Sequence, residues 1–179
     1  MIWRPVLRAT AATAFATAAR IPLGLRPPHV WSGLRHGAAA AAVAAAGVAA
    51  SAAIPAVRSG MRQRELPDTA TRWMMLDIPV GTVWFEETLF RGLVTAAAAR
   101  AVGPRGGWLL QAMAFGLWHI PDARKAGEPV LGTVVVTGVA GLGFGWLAQR
   151  SGSLLAPMLA HLAINEAGAA AALLTQRPG

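Results

Sequence analysis

The sequence predicts an all-α protein, a polytopic bundle of about four to five transmembrane helices with one short half-helix. Three observations lead to this prediction. Hydrophobic residues make up 55% of the 179 residues and charged residues only 13%, which is too apolar for an ordinary water-soluble surface. Several uncharged runs approach the roughly 20 residues that a spanning helix needs. Pro- and Gly-containing stretches separate these runs and predict the breaks between helices.

Composition excludes several kinds of site and partner. The chain has no cysteine, which excludes disulfides, thiolate nucleophiles and thiolate metal ligands. The formal net charge of +8 comes mostly from arginines between apolar runs, a pattern typical of side chains that meet anionic lipid headgroups. A nucleic-acid-binding domain would instead show a basic stripe with interleaved aromatic residues. We therefore expect a lipid bilayer as partner, no nucleic acid, and a multi-pass location, with the cell membrane as the expected site.

The N-terminal elements are weakly marked. Residues 1–25 predict an interfacial amphipathic helix or a poor first span, since their apolar core is weak and Arg20 precedes no clean small-residue cleavage site. Residues 26–37 form a connector that Pro and Gly interrupt, so it should not be helical throughout. Residues 37–57 carry no charge over a length of about 30 Å as a helix. They predict a first spanning helix, and residues 58–72 predict a polar loop.

The C-terminal elements are better defined. Residues 73–99 are a long apolar segment, and the helix-breaking run at 103–107 ends it. Residues 108–120 are apolar but too short to cross a membrane, and a proline follows them. They predict a half-length or re-entrant helix. Residues 130–148 and 154–174 are each long enough to span.

Three ionisable residues inside the apolar run Trp84–Gly92 require compensating chemistry, because each charge at mid-bilayer costs roughly 3 kcal/mol on an insertion scale. Glu87 and Arg91 are four residues apart and share one helix face, so they predict a buried ion pair. Glu86 points about 100° away. It predicts a free carboxylate, which in a low-dielectric site can exchange protons near neutrality and act as a general base.

Three further polar residues lie in other apolar segments. His119 ends the short segment, and His161 and Asn165 are four residues apart on the last span. Three segments could therefore bring carboxylate, imidazole and amide groups around one cavity. The residues alone also allow a purely structural reading, with Glu87 and Arg91 as a buried ion pair and the others as interhelical hydrogen bonds.

The order of these motifs resembles one known family. Residues 86–91 read EExxxR, residues 115–119 read FxxxH and residues 161–165 read HxxxN. Together they resemble the CPBP family of type II CAAX prenyl endopeptidases and bacteriocin-processing or immunity proteins, also called the Abi domain. The resemblance covers about residues 78–170. It implies an all-helical intramembrane endopeptidase whose substrate is a peptide or a membrane-associated protein, prenylated in the CAAX-processing members.

The resemblance also implies roles for the motif residues. Glu86 would be the base that activates water, and His119 would bind and orient that water. His161 and Asn165 would correspond to the pair that stabilises the oxyanion, a role worth several kcal/mol for fixed donors in a dry site. These four residues are the expected catalytic set.

Glu87 with Arg91 would hold the helix and the neighbouring carboxylate in place. The resemblance favours no cofactor. A zinc site on Glu86, His119 and His161 is the alternative, since one carboxylate and two imidazoles are a chemically sensible zinc set. The asparagine would be an unusual ligand beside them, so we expect catalysis without a metal.

Two regions follow from this assignment. Residues 1–76 are expected to hold the N-terminal amphipathic or weakly spanning segment, the first transmembrane helix and a loop, and residues 77–172 the catalytic core. The alternative function is a non-proteolytic membrane immunity or scaffold protein, or a transporter that relays protons through Glu86 and the histidines. The intact motifs favour the endopeptidase, and the sequence shows no repeat of the kind that many transporters have.

Overall fold

A computed structural model describes residues 3–176, and every regular element in that range is a helix. The all-α bundle predicted from the sequence is therefore confirmed. The helices, numbered here in chain order, are α1 Arg4–Ala18, α2 His29–Ser51, α3 Pro55–Gln63, α4 residues 70–102, α5 residues 104–118, α6 Ile120–Ala126, α7 Val130–Ser151 and α8 Leu155–Thr175.

Two helices of the described part of the chain, α7 and α8, are long and apolar enough to cross a membrane. They coincide with the spans expected at 130–148 and 154–174. Helices α2 and α3 meet at an angle of 92° and give a third candidate if the bent pair is one span. The total of four to five spans stays a prediction.

The first expected span is displaced toward the N-terminus. The sequence predicted a helix over 37–57, whereas α2 runs from His29 to Ser51 and includes most of the expected connector. Pro55 begins α3 because a proline suits the first helical position and breaks a helix interior. Gly37 does not interrupt α2: a Cβ there would lie 2.9 Å from the Cα of Ala156. This glycine therefore lets α2 approach α8 closely.

The helix that carries the acidic cluster, α4, is wound more widely than an ordinary α-helix. Its turns are of the π type over Trp73–Trp84 and again over Thr88–Val94, with an α-helical turn at Phe85–Glu87 between them. Pro79 lies within the first wide stretch and has no N–H to donate. Wide turns of this type are rare in proteins and occur frequently at functional sites.

The break after α4 is a single residue. Gly103 has φ +79°, a conformation that glycine adopts without a steric penalty, and Pro104 follows it inside the next helix. The break predicted at 103–107 is thus present, but α5 starts at residue 104 rather than 108. At 1.5 Å per residue α5 is about 22 Å long, shorter than the roughly 30 Å hydrocarbon core. It matches the expected half-length helix.

Helix pairs bring the polar motifs together. Helix α2 packs along α8, α5 packs along α7, and α1 packs on α4. The contact between α1 and the bundle buries three alanines, Ala9, Ala12 and Ala16. A cluster of buried side chains joins α4, α5, α7 and α8: Phe90, Phe115, Phe144, Leu147, Ala156 and Ala160. This cluster lies beside the acidic residues of α4.

Candidate active site

Glu87 is the most buried ionisable residue of the candidate site. Two side chains contact its carboxylate, the guanidinium of Arg91 and the imidazole of His161. The side chain of Glu87 is fully buried, and its Oε1 accepts hydrogen bonds from Nη1 of Arg91 at 3.1 Å and from Nδ1 of His161 at 2.7 Å. The contact with Arg91 is the ion pair expected from their spacing in sequence. The contact with His161 joins α4 to α8 and was not expected.

Arg91 is held on more than one side. Its Nη2 donates to the carbonyl of Gly141 at 3.5 Å. Its guanidinium carbon lies 4.1 Å from the ring centre of Phe115 and 4.9 Å from that of Phe144. A cation over an aromatic face is stabilised by the ring quadrupole. The two aromatic rings and the carbonyl of Gly141 together restrict the position of the guanidinium. Arg91 therefore fixes Glu87 against α7.

His161 lies between the two carboxylates of α4. Its buried imidazole stacks on Phe144 at 4.9 Å with an interplanar angle of 21°. Because a carboxylate accepts the hydrogen bond at Nδ1, this nitrogen carries a proton. Its Nε2 faces Oε2 of Glu86 at 3.9 Å, which is too long for a direct hydrogen bond. The imidazole is thus anchored to one carboxylate and directed at the other.

Glu86 is buried but less committed than Glu87. Its Oε1 accepts a hydrogen bond from Nε1 of Trp118 at 3.2 Å. Its Oε2 has no hydrogen-bond partner among the residues that the structure describes. A buried carboxylate oxygen without a partner carries a free-energy cost of about 1–3 kcal/mol or more. Oε2 of Glu87 is likewise without a hydrogen-bond partner among the described residues. Glu86 differs from Glu87 in that Arg91 does not pair with it and His161 lies beyond hydrogen-bond distance, which leaves its carboxylate available to a water molecule or a substrate.

His119 and Asn165 are each bound to the backbone. Nδ1 of His119 lies 2.7 Å from the carbonyl oxygen of Phe115 and donates to it, so Nε2 is the nitrogen available for other contacts. The ring of Phe115 also touches both histidines, with centroid distances of 4.7 Å to His119 and 5.9 Å to His161. Asn165 Nδ2 donates to the carbonyl of His161 at 3.1 Å. Its amide is therefore turned toward its own helix.

The predicted site residues are gathered to different degrees. Glu86, Glu87, Arg91 and His161 form one connected cluster. His119 adjoins this cluster through Phe115 and through its neighbour Trp118 in sequence, and Asn165 is one helical turn from His161.

The structure gathers no three-residue metal-ligand set in the part of the chain that it describes. Within residues 3–176 no three His, Asp or Glu side chains lie where they could hold one ion. Glu86, His119 and His161, the alternative zinc set, are thus not gathered as a ligand set in this structure. Nδ1 of each histidine is hydrogen-bonded and leaves Nε2 open, an arrangement that metal-bound imidazoles also have.

Two side chains of α5 take part in the site in ways that the sequence reasoning did not anticipate. Trp118 is an unspecified position of the FxxxH motif, and its indole N–H donates to Oε1 of Glu86. Gln111 is fully buried, and its Nε2 donates to the carbonyls of Trp108 at 3.0 Å and Gly141 at 2.9 Å. Gly141 thus accepts from both Gln111 and Arg91. An amide in an otherwise apolar run was the signal available for Gln111, the same signal that identified the glutamates.

One comparison with known proteins identifies a family. A family model described as type II CAAX prenyl endopeptidase, Rce1-like, matches residues 68–167. The matched region is more than half of the chain and includes all three motifs. Comparisons with curated proteins and with solved structures found no match.

Proposed function

Because the chain belongs to the Rce1-like family of type II CAAX prenyl endopeptidases, we propose that it hydrolyses a peptide bond with a water molecule activated by Glu86. The family is one of CAAX-type intramembrane endopeptidases, and the apolar helices agree with an integral membrane protein. One observation carries the proposal. Glu87 accepts hydrogen bonds from Arg91 and His161, whereas Glu86 beside it accepts only the indole N–H of Trp118 and has no cationic partner within hydrogen-bond distance. Oε2 of each glutamate has no hydrogen-bond partner among the described residues.

The difference between the two glutamates supports different roles for them. Glu87 accepts hydrogen bonds from a guanidinium and an imidazole, so this carboxylate is already the acceptor for two neighbouring side chains. Glu86 accepts only the indole N–H of Trp118. In the proposed reaction its carboxylate takes a proton from water as the oxygen forms a bond to the scissile carbonyl carbon. The proton then passes to the amine nitrogen as the carbon–nitrogen bond breaks, which is general base followed by general acid catalysis.

His119 is proposed to hold the attacking water. Its Nδ1 is fixed on the carbonyl of Phe115, which sets the orientation of the ring. Nε2 is then an acceptor in the neutral imidazole and can take a hydrogen bond from water. A residue in this role orients the nucleophile, and orientation of reacting groups accounts for a large part of enzymatic rate enhancement.

His161 and Asn165 are proposed to stabilise the oxyanion. Since Nδ1 of His161 already donates to Glu87, Nε2 donates only when the imidazole is protonated. With His161 protonated, the cluster contains two negative charges, on Glu86 and Glu87, and two positive charges, on Arg91 and His161. Its net charge is then zero, which is compatible with burial. Asn165 would add its amide after leaving the carbonyl it now binds. Fixed donors to an oxyanion in a dry site are worth about 3–4 kcal/mol each.

The substrate that we propose is a peptide or membrane-associated protein with a CAAX-type C-terminus, prenylated or not, and the enzyme is proposed to act as a multi-pass protein of the cell membrane. No metal takes part in the proposed steps. A zinc-dependent enzyme would lose activity in the presence of a chelator, whereas the proposed metal-free enzyme would not. A peptide-cleavage assay with and without a chelator therefore separates the two mechanisms.

The test is a turnover assay of the purified, detergent-solubilised chain. The substrates are a farnesylated CAAX peptide and its unprenylated counterpart, and the proteins are wild type, Glu86→Gln and Glu166→Gln. Glu166 is a matched control: it is a half-buried glutamate of α8, and its Oε1 has no partner among the described residues. We expect cleavage to be lost in Glu86→Gln, kept in Glu166→Gln and unchanged by a zinc chelator.

Three outcomes would count against the proposal. Turnover by Glu86→Gln would remove this carboxylate from the base role. Loss of activity on chelation with recovery on added zinc would overturn the metal-free scheme. No cleavage of either peptide by folded wild type would overturn the proposed activity on CAAX peptides.

A further inference from the structure

Helix α1 lies outside the region that matches the family, and it places an arginine beside the candidate site. The guanidinium carbon of Arg8 is 4.3 Å from the ring centre of Phe85 and 5.9 Å from that of Trp118. Trp118 is the residue whose indole donates to Glu86 at 3.2 Å. A positive charge is therefore separated from the proposed base by a single aromatic ring.

The charge of Arg8 is not neutralised within the described residues. Arg8 and Arg4, one turn earlier on the exposed side of α1, have no carboxylate within 4.0 Å and no side-chain hydrogen bond in residues 3–176. Both line a cavity of 470 Å³ between α1 and α4. The remaining lining residues are Pro5, Asp77, Gly81 and Thr82. Asp77 is the one acid in this lining, and it pairs with Arg72 at 3.4 Å, so the cavity has an excess of positive charge.

We propose that Arg8, with Arg4 beside it, binds the C-terminal carboxylate of the peptide substrate. A guanidinium fork matches a carboxylate in geometry and forms charge-assisted hydrogen bonds with it. The stacking of Arg8 on Phe85 and Trp118 holds the guanidinium in place before substrate binds, which reduces the ordering cost of binding. This inference rests on the proposed function, because it places the carboxylate relative to the bond that Glu86 cleaves.

The spacing suits a substrate cut close to its C-terminus. A CAAX motif ends its chain, so its α-carboxylate lies within a few residues of the cleaved bond. Three extended residues span about 10 Å. The path from Arg8 to Glu86 crosses Trp118. The guanidinium carbon of Arg8 is 5.9 Å from the ring centre of Trp118, and Nε1 of Trp118 is 3.2 Å from Oε1 of Glu86. The span of three extended residues is comparable with this path.

A lipid phosphate is the other anion that an arginine at this position could meet. The contact of Arg8 with Trp118 favours the peptide, because it couples the cation to the residue that binds the proposed base. Headgroup binding requires no such connection to the site. The two sources of negative charge are separated by changing the peptide terminus and the lipid independently.

The experiment compares two farnesylated peptides of one sequence, one ending in a free carboxylate and the other in a carboxamide. The proteins are full-length wild type, Arg8→Gln and Arg58→Gln. Arg58 is a matched control: it is an exposed arginine on α3 without a side-chain partner in the described residues. For wild type we expect kcat/KM to be about tenfold higher for the carboxylate, as for one charge-assisted contact. Arg8→Gln should bring the ratio close to one, and Arg58→Gln should leave it unchanged.

Arg8→Lys distinguishes charge from shape: it should keep part of the preference, because lysine retains the charge without the fork. The melting temperature of each variant reports whether α1 stays packed.

Equal cleavage of the two peptides by wild type would overturn this inference and leave the proposed function standing. An unchanged ratio in Arg8→Gln, or a ratio that follows the phosphatidylglycerol content of vesicles instead of the peptide terminus, would also overturn it. If wild type cleaves neither peptide, the proposed function fails and this inference fails with it.

Discussion

Replacing Glu87 by glutamine removes the carboxylate that Arg91 and His161 both contact, at a position that is fully buried. Removal of one partner of a buried ion pair costs about 3–5 kcal/mol, mostly because the other charge is left unpaired. Glutamine keeps one oxygen acceptor, so we take about 3 kcal/mol. For a chain of this size 1 kcal/mol shifts the melting temperature by about 2–4 °C, which gives a decrease of about 6–12 °C.

Glu86→Gln is the matched comparison, since the two residues are adjacent, buried and chemically identical. Glu86 forms no ion pair with Arg91, and the hydrogen bond from Trp118 can still be accepted, more weakly, by an amide oxygen. We expect its melting temperature to stay within about 3 °C of wild type, a change of roughly 1 kcal/mol, while turnover is lost. Thermal unfolding in detergent, followed by near-UV circular dichroism, and the peptide assay on the same preparations measure both quantities.

A double variant tests the physical reason. Glu87→Gln combined with Arg91→Met removes the unpaired charge together with its partner, and it should recover part of the lost stability. Equal melting temperatures for the two single variants would refute the reasoning. A normal melting temperature with complete inactivity in Glu87→Gln would exchange the roles assigned to the two carboxylates.

Three further changes probe the residues around Glu86. His119→Ala should abolish turnover with a nearly unchanged melting temperature, because its ring is half-buried and has one hydrogen bond in the structure; turnover near wild type would exclude it from holding water. Asn165→Ala should keep a small residual rate, since His161 would remain as a donor, and a wild-type kcat would remove the amide from the oxyanion role. Trp118→Phe keeps the ring but loses the hydrogen bond to Glu86. A hydrogen bond to a charged group is worth about 1.5–3 kcal/mol, so kcat should fall at least tenfold, and an unchanged kcat would show that the indole does not position the base.

Several features of the protein follow from local sequence. Apolar composition and the lengths of the uncharged runs predicted the helical class and the helices at α7 and α8. The spacing of Glu87 and Arg91 predicted their ion pair, because residues four apart on a helix meet whatever the rest of the chain does. Gly103 marked the end of α4 because its backbone freedom is intrinsic to glycine.

Local rules misplaced the start of the first span, because tertiary packing competes with them there. Pro and Gly in residues 26–37 predicted a connector that is not helical throughout, and residues 26–28 do lie outside a helix. The expected span began only at residue 37, whereas α2 begins at His29 and uses Gly37 inside the helix for close contact with α8. Intrinsic propensity disfavours glycine in a helix by about 1 kcal/mol. Packing of two helices at short distance offsets that cost, and a single sequence does not show which glycines will meet a partner.

The sequence alone determined the helical class, the motif residues and the pairing of Glu87 with Arg91, because each depends on composition or on the period of one helix. Only the tertiary structure decided which partners the two glutamates have. His161 reaches Glu87 across 74 positions of sequence, Trp118 reaches Glu86 across 32, and Arg8 arrives from a helix outside the matched region. These contacts depend on how α1, α4, α5 and α8 pack against one another, and side-chain spacing along one helix carries no information about the neighbour that the helix will meet.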